Sequence, residues 1–206
     1  MISRCLIKIW LLEERPEFRG RFAFVQIAEP SRTALPAYRA TRTLVLESTA
    51  RINSRFGAPG YQPIVLRENH HDPGEVYRFL RAADLCYVAS LHDGMNLVAK
   101  EFVSARDDER GSLVLSHFTG AAHQLVGALM VNPYDIGGSA SCLADALHMS
   151  EPEQSNRMRA MRSNVAEFNA YWWAGRMIED AARAQDGGCT WKAAFQESSS
   201  AAEPWA

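Results

Sequence analysis

The chain has 206 residues, a formal net charge of −2 and an apolar fraction of 47%. This composition is typical of a soluble globular protein, and it excludes a disordered chain, a fibrous chain and a global basic field for nucleic acid. No run of about 18 apolar residues occurs, so no membrane span is expected. The length suits one α/β domain and is too short for an enzyme built from two such domains.

The cysteines and the N-terminal stretch bear on the cellular compartment. Four cysteines are widely spaced without a CxxC pair, which predicts reduced thiols in a cytoplasmic protein. They are Cys5, Cys86, Cys142 and Cys189. Arg4 and Lys8 interrupt the apolar N-terminal stretch, and no small-residue cleavage site follows it, so a signal peptide is not expected.

The predicted elements alternate between strands and helices. Apolar spacing predicts helices over 2–15, 35–56, 73–81, 96–105, 120–126, 139–148, 153–168 and 170–184. Strands are predicted over 21–28, 63–66, 85–89, 112–115 and 128–131. Such alternation indicates βαβ units, so we predict an α/β fold with one parallel sheet flanked by helices over residues 1–184. Residues 185–206 are Gly-, Ser- and Ala-rich and are expected to form a loosely ordered tail.

The segment from Ser90 to Asn96 is the densest group of polar residues at the predicted carboxyl ends of the strands, where open parallel sheets bind ligands. Gly94 is expected to permit a turn with unusual dihedral angles and a close approach of the backbone. Asn96 is a candidate N-cap of the following helix. The unpartnered amides of Leu97 and Val98 would then suit a phosphate or diphosphate.

Carboxylates on both sides of this helix start suggest a sugar nucleotide. Glu101 lies one turn after Leu97 and could accept hydrogen bonds from both hydroxyls of a ribose. Asp93, before the helix, could bind hydroxyls of a sugar on the other side of the phosphates. The alternative is an ordinary strand-to-helix loop with a capped helix and a surface glutamate.

Read as a whole, residues 90–103 (SLHDGMNLVAKEFV) resemble the donor-binding segment of the trehalose-6-phosphate synthase family of retaining glycosyltransferases. That family typically reads PLRDGMNLVAKEYV. Further segments resemble family motifs in the same order along residues 2–182. They are QIAEPSR at 26–32, RINSRFG at 51–57, GSLVLSHFTGAA at 111–122 and VNPYD at 131–135.

The resemblance implies the C-terminal, Rossmann-like half of a GT-B glycosyltransferase, and transfer of glucose from UDP-glucose to glucose 6-phosphate with retention, in trehalose biosynthesis. It implies no cofactor and no metal. The implied residue roles follow the family motifs. Asp93, Gly94, Met95 and Asn96 would contact the donor sugar, the amides of Leu97 and Val98 the diphosphate, Glu101 the ribose, and Arg32 the acceptor phosphate.

The chain also departs from the family pattern. A motif like VDRLDYTKG, whose Arg and Lys bind the donor diphosphate, would end just before Met1, so its strand and both cations are expected to be absent. The acceptor domain is expected to be absent too. Gln124 replaces a common Glu, and His92 stands where many members have Arg. We therefore expect either a separate N-terminal half or a homo-oligomer as partner, or else a truncated, non-catalytic binding remnant. No nucleic acid or membrane partner is expected.

The remaining histidines and the aromatic residues near the C-terminus are interpreted as structural rather than functional residues. The sequence His70-His71-Asp72 is interpreted as a loop rather than a metal site, because adjacent residues rarely converge on one ion. His117 and His123 are interpreted as loop or helix histidines near the cleft. The aromatic residues of the C-terminal helices are interpreted as packing residues, and an unrelated hydrolase is disfavoured because no nucleophile motif is present. These aromatic residues are Phe168, Tyr171, Trp172 and Trp173.

Overall fold

The computed structural model describes residues 10–29 and 34–186. These ranges contain five strands and six α-helices whose two ends are both described, and strands and α-helices alternate through the first four strands, as the sequence predicts. The strands are β1 (Phe24–Ile27), β2 (Ile64–Arg67), β3 (Leu85–Val88), β4 (Ser112–Ser116) and β5 (Leu129–Val131). The helices are α1 (Pro36–Phe56), α2 (Pro73–Ala82), α3 (Leu97–Ala105), α4 (Ile136–His148), α5 (Glu151–Glu167) and α6 (Ala170–Asp186).

Two expectations about the ordered elements need correction. The predicted helix over 120–126 is only a short 3-10 helix, Gly120–His123. The strands also form two separate parallel sheets rather than one, with β1 paired to β2 and β4 paired to both β3 and β5. Residues 10–14 are helical, and the rest of the predicted helix over 2–15 lies outside the described residues.

Both faces of the three-stranded sheet are covered by helices. Every residue of β4 is buried, and its side chains alternate between two apolar clusters. Val114 belongs to one cluster with Ile52 of α1 and Leu143 of α4. Leu115 belongs to the other cluster with Phe102 of α3. Helices α1 and α4 therefore lie on one face of the fold and α3 on the opposite face, which confirms the predicted α/β class.

The helices that connect paired strands lie on different faces of the fold. Helix α1 connects β1 to β2 on one face, whereas α3 connects β3 to β4 on the other. Because parallel crossovers are right-handed, connections on opposite faces advance in opposite directions. The connection from β1 to β2 and the connection from β3 to β4 therefore advance in opposite directions across their sheets.

Arg106 ties together the elements at the amino ends of β3 and β4. It is only 5% exposed, and its guanidinium donates to the backbone carbonyls of Arg81, Ala83 and Arg110 and pairs with Asp108 at 3.1 Å. Its role is to satisfy carbonyl groups around the end of α2, away from the carboxyl ends of the strands.

We expect Arg106→Met to lower the free energy of unfolding by about 3 kcal/mol, because three carbonyls and a carboxylate would lose a buried charged donor. Urea unfolding followed by circular dichroism measures the change. Arg110→Met is the matched control: its side chain is exposed, so it should stay within about 0.5 kcal/mol of the parent. Equal effects of the two substitutions would contradict the role assigned to Arg106.

The chain divides into two compact units, Met1–Val165 and Ala166–Ala206. In the second unit, the rings of Phe168 and Trp172 meet edge to face with centroids 4.8 Å apart, and those of Trp172 and Trp173 at 5.3 Å, while Tyr171 is largely exposed. The predicted domain boundary at residue 184 and the loosely ordered tail stay predictions, since 187–206 lie outside the described residues. No described helix is long and apolar enough to cross a membrane.

Candidate functional site

The loop between β3 and α3 lies at the carboxyl end of the sheet, where the sequence predicts a ligand. It is joined to the loop after β4 by backbone hydrogen bonds. The Asp93 amide donates to the Phe118 carbonyl at 3.1 Å, and the Asp93 carbonyl accepts from the Gly120 amide at 3.0 Å. The Met95 carbonyl accepts from the Ala121 amide at 2.9 Å. Two loops from adjacent strands thus form one connected surface.

Asp93 shapes this loop through its side chain. Its Oδ2 accepts from Asn96 Nδ2 at 2.8 Å and from Ser90 Oγ at 3.3 Å, and its Oδ1 accepts from the Met95 amide at 3.3 Å. The hydrogen bond from Asn96 is the main reason that the pKa of Asp93 is lowered, which keeps the carboxylate ionised at neutral pH. The sequence predicts Asp93 as a sugar contact, and the structure adds this local role.

Asn96 begins helix α3 in an unusual backbone conformation. Its φ of 71° lies in the left-handed region, and its Oδ1 accepts from the Ala99 amide at 2.9 Å, so it is the N-cap, as predicted. This capping bond takes the third amide of the helix. Among the described residues, none accepts from the amides of Leu97 and Val98, whose side chains are also exposed. The first turn therefore presents two donors and the positive end of the helix dipole.

The sequence analysis expects both the unusual dihedral angles and the close backbone approach at Gly94, and both expectations are wrong. Gly94 does not have a positive φ, and a methyl group at its position would meet no other atom within 4 Å. The left-handed conformation falls on Asn96 instead. The close backbone approach occurs at Gly120, where an added Cβ would overlap the carbonyl oxygen of Gly94. Gly120 has no assigned role in the sequence analysis, although its motif after β4 could have drawn attention to it.

Glu101 is exposed one helical turn after Leu97, as its spacing predicts. No described residue forms an ion pair or hydrogen bond with its carboxylate, so both oxygens can accept from a ligand. Lys100 is half-buried, and burial lowers the pKa of its ammonium group. The helix thus combines exposed amides at its start with an exposed carboxylate one turn further along.

Three exposed rings form a row beside the loop, and the sequence analysis does not predict it. His92, Phe118 and Tyr134 follow β3, β4 and β5 respectively. Ring centroids of His92 and Phe118 are 6.1 Å apart, and those of Phe118 and Tyr134 are 5.9 Å apart in an edge-to-face arrangement. Each of the three stands in the loop that directly follows one of three adjacent strands, and this placement is the signal that could have revealed the row.

The other histidines have separate surroundings. His70 Nδ1 lies 3.1 Å from both carboxylate oxygens of Glu29, whereas His71 packs against the ring of Phe79 with its Nδ1 2.9 Å from Glu75. In the ranges 10–29 and 34–186, no group of three or more His, Cys, Asp or Glu residues is placed to hold a metal ion. His117 and His123 are both exposed.

The residue predicted to bind the acceptor phosphate cannot be placed in the fold. Arg32, predicted to bind the acceptor phosphate, lies outside the described residues. Nearby along the chain, Arg42 of α1 makes two contacts with Glu68 after β2, Nε to Oε1 at 2.8 Å and Nη2 to Oε2 at 3.3 Å. These contacts use both carboxylate oxygens of Glu68.

Comparisons with known proteins show which family this chain resembles. The glycosyltransferase family 20 model matches residues 8–183. A trehalose-6-phosphate synthase of Klebsiella pneumoniae is 41% identical over 171 residues, which are 82% of this chain and 36% of the relative. A bifunctional trehalose-6-phosphate synthase/phosphatase of Thermoproteus tenax is also 41% identical, over 81% of this chain and 23% of the relative. The chain thus spans well under half the length of these relatives.

Solved structures show the same fold. The E. coli trehalose-6-phosphate structure bound with UDP-2-fluoro glucose matches with a TM-score of 0.84 and 38% identity, covering 87% of this chain and 40% of that one. A UDP-forming trehalose-phosphate synthase of Burkholderia xenovorans in complex with glucose-6-phosphate matches with a TM-score of 0.82 and 40% identity, over 87% and 41% of the two chains. Part of a GT-B fold is therefore present, and the chain belongs to glycosyltransferase family 20.

Proposed function

We propose that this domain binds UDP-glucose and serves as the donor half of a retaining transferase that forms trehalose 6-phosphate from glucose 6-phosphate. The observation that carries the proposal is the start of helix α3. There the amides of Leu97 and Val98 are exposed behind a fixed Asn96 cap, with the Glu101 carboxylate one turn away. Amides at a helix start bind phosphate groups, and a neighbouring carboxylate suits a ribose.

In this proposal the sugar lies against residues 93–96. Asp93 Oδ1 accepts from the Met95 amide at 3.3 Å, and a carboxylate oxygen can accept a further hydrogen bond from a sugar hydroxyl. Gly94 has open space at its α-carbon, which lets a sugar ring approach the backbone. The Met95 side chain is exposed beside it, and Asn96 fixes the shape of the loop. Arg32 would bind the acceptor phosphate.

The proposed reaction breaks the bond between the anomeric carbon of glucose and the diphosphate oxygen. The acceptor hydroxyl oxygen forms the new bond on the same face, and its proton passes to the departing phosphate. Helix amides stabilise the negative charge that develops on the departing diphosphate, and the acceptor hydroxyl is the nucleophile. Catalysis then consists mainly of positioning and electrostatic stabilisation.

Two of the compared structures support the choice of ligands, since one is bound with UDP-2-fluoro glucose and the other with glucose-6-phosphate. The chain spans 36% of the Klebsiella relative, so we propose that transfer also requires an acceptor half that lies outside the present sequence. The second candidate is a non-catalytic remnant that still binds the nucleotide sugar. We also propose a cytoplasmic location, supported by the free thiols of Cys86 and Cys142.

Isothermal titration calorimetry with UDP and UDP-glucose tests the donor site in the chain as it is. We expect both ligands to bind in the millimolar range or tighter at a one-to-one ratio. Absence of heat at millimolar ligand would refute the donor site. A turnover assay with UDP-glucose and glucose 6-phosphate, with and without an acceptor half, separates a transferase domain from a binding remnant.

Glu101→Ala is expected to weaken UDP binding about tenfold or more, because each charge-assisted hydrogen bond to a ribose hydroxyl contributes about 1.5–3 kcal/mol. Calorimetry with UDP and with 2′,3′-dideoxy-UDP makes the test specific. The parent should prefer UDP, and the variant should bind the two nucleotides equally. Glu47→Ala, at another exposed glutamate, is the control and should bind like the parent. A preference for UDP that survives Glu101→Ala would show that the ribose is bound elsewhere.

A further inference from the structure

The row formed by His92, Phe118 and Tyr134 leaves a contiguous aromatic surface uncovered. Phe118 and Tyr134 are 41% and 61% exposed, and His92 is exposed as well. Phe118 stands in the middle, with the ring centroids of His92 and Tyr134 6.1 Å and 5.9 Å from its own. Single exposed apolar residues occur on every protein surface, whereas contiguous exposed groups mark binding sites.

Polar atoms along the same row also lack partners. The Tyr134 hydroxyl and both ring nitrogens of His92 make no hydrogen bond with any described residue. Asn132 Oδ1 accepts from the Tyr134 amide at 3.0 Å, which fixes this side chain next to the row, and its Nδ2 has no acceptor among residues 10–29 and 34–186. The row therefore combines aromatic faces with donors and acceptors that a ligand can use.

The charge of the three loops restricts the class of ligand. Residues 89–96, 117–128 and 132–135 contain no lysine and no arginine, but they include Asp93 and Asp135. The Asp135 carboxylate accepts from the Gly138 amide at 2.9 Å at the start of helix α4. A phosphorylated ligand would meet no fixed cation here and would be repelled by both carboxylates. The surface suits an uncharged ligand that carries hydroxyl groups.

The row extends away from the loop assigned to the donor. His92 adjoins Asp93, but Tyr134 follows β5, which is separated from β3 by β4. Neighbouring strands lie about 4.8 Å apart, so the end of β5 is about 10 Å from the end of β3. A ligand over Phe118 and Tyr134 can therefore bind together with one at the start of helix α3.

We propose that His92, Phe118 and Tyr134 form a binding site for a neutral carbohydrate, separate from the nucleotide-sugar site. The C–H groups on one face of a pyranose ring pack against Phe118, and its hydroxyl groups reach the Tyr134 hydroxyl, Asn132 Nδ2 and His92. A pyranose is about as wide as an aromatic ring, so a sugar centred on Phe118 contacts both neighbouring rings. The site is an open surface that buries little of its ligand, so binding is weak, in the millimolar range.

An NMR titration of the full chain with methyl β-D-glucopyranoside tests this site. All ring substituents of this glucoside are equatorial, so both of its faces present axial C–H groups. We expect saturable shifts of the aromatic signals of Phe118 and Tyr134, and we expect them to persist in excess UDP-glucose. Mannitol, which has hydroxyl groups but no ring, should cause no saturable shift, and glucose 6-phosphate should perturb these rings at least fivefold more weakly.

Three results would overturn the proposal. They are an absence of shifts at these rings with 100 mM glucoside, on the order of a hundred times a millimolar dissociation constant, saturable shifts with mannitol, and glucoside shifts that UDP-glucose abolishes. The last result would place the glucoside in the donor sugar position. The proposal does not rest on nucleotide binding, so a chain that binds the glucoside but not UDP would refute the donor site alone.

Variants of Tyr134 make the test specific to the row. Tyr134→Ala should weaken glucoside binding about fivefold, because it removes one ring and its hydroxyl, whereas Tyr134→Phe should weaken it only about twofold. Tyr171→Ala is the matched control at another exposed tyrosine and should bind like the parent. Circular dichroism and UDP affinity should stay unchanged in all three variants. Parent-like glucoside affinity in Tyr134→Ala would refute the site.

Discussion

Gly120→Ala is expected to weaken UDP binding about tenfold to a hundredfold. The new methyl group would overlap the Gly94 carbonyl oxygen, and the nearest atoms are backbone, which cannot rotate away. The loop from Asp93 to Asn96 must therefore move, and a displacement of about 1 Å at a positioning element can reduce function a hundredfold. Calorimetry with UDP measures the affinity, and urea unfolding measures the accompanying loss of stability, about 1–3 kcal/mol.

A second glycine provides a matched control for this substitution. A Cβ at Gly127 would lie 2.6 Å from the Arg157 carbonyl oxygen, so Gly127→Ala carries a similar steric cost at a different place. We expect the two variants to lose similar stability, while only Gly120→Ala loses affinity for UDP. If both variants bind UDP equally well, Gly120 does not position the donor loop.

Asn96→Ala is expected to reduce the free energy of unfolding by about 2–3 kcal/mol and to lower UDP affinity at least tenfold. The substitution removes the cap on the Ala99 amide, worth about 1 kcal/mol, and places alanine in a left-handed conformation at a cost of about 1–2 kcal/mol. It also removes the shortest hydrogen bond to Asp93. Thermal unfolding and UDP titration of the same sample measure both effects.

Two further substitutions at this position separate the contributions of Asn96. Asn96→Gly accepts the left-handed backbone but lacks the side chain, so it should recover the backbone cost and leave UDP binding weak. Asn96→Asp keeps the capping oxygen but sets a second carboxylate beside Asp93, so it should restore the cap while destabilising the loop near neutral pH. Full UDP affinity in Asn96→Gly would contradict the role assigned to the side chain.

The helices were predictable where local signals mark their ends. Asp72 and Pro73 mark the start of α2, and the structure shows the Asp72 carboxylate accepting from the Glu75 amide at 2.9 Å. The 3-10 helix that begins at Gly120 lacks such signals. Its apolar residues have helical spacing, but backbone hydrogen bonds to Asp93 and Met95 hold the segment as a loop with a single short turn. Periodicity cannot distinguish a helix from a loop that is held by residues distant in sequence.

The division into two sheets also depends on distant contacts. Alternating elements predict parallel strands, but tertiary packing decides which strands pair. The apolar sequence of β3 predicts that the strand is buried, but it does not indicate which strands lie beside it. The residues of the candidate site were predictable from the motif at 90–103. Their structural roles were harder to predict, because the local role of Asp93 depends on hydrogen bonds from the side chains of Ser90 and Asn96. The row of rings through Phe118 was also not predictable, because it joins three separate loops.

A titration of the 15N-labelled full chain with UDP, followed by amide NMR, tests the central claim most directly. We expect the largest shifts at the amides of Leu97 and Val98, with smaller changes around Glu101. Inorganic phosphate should perturb the first two amides at higher concentration. Shifts confined to other parts of the chain, or none at millimolar UDP, would contradict a donor site at the start of helix α3.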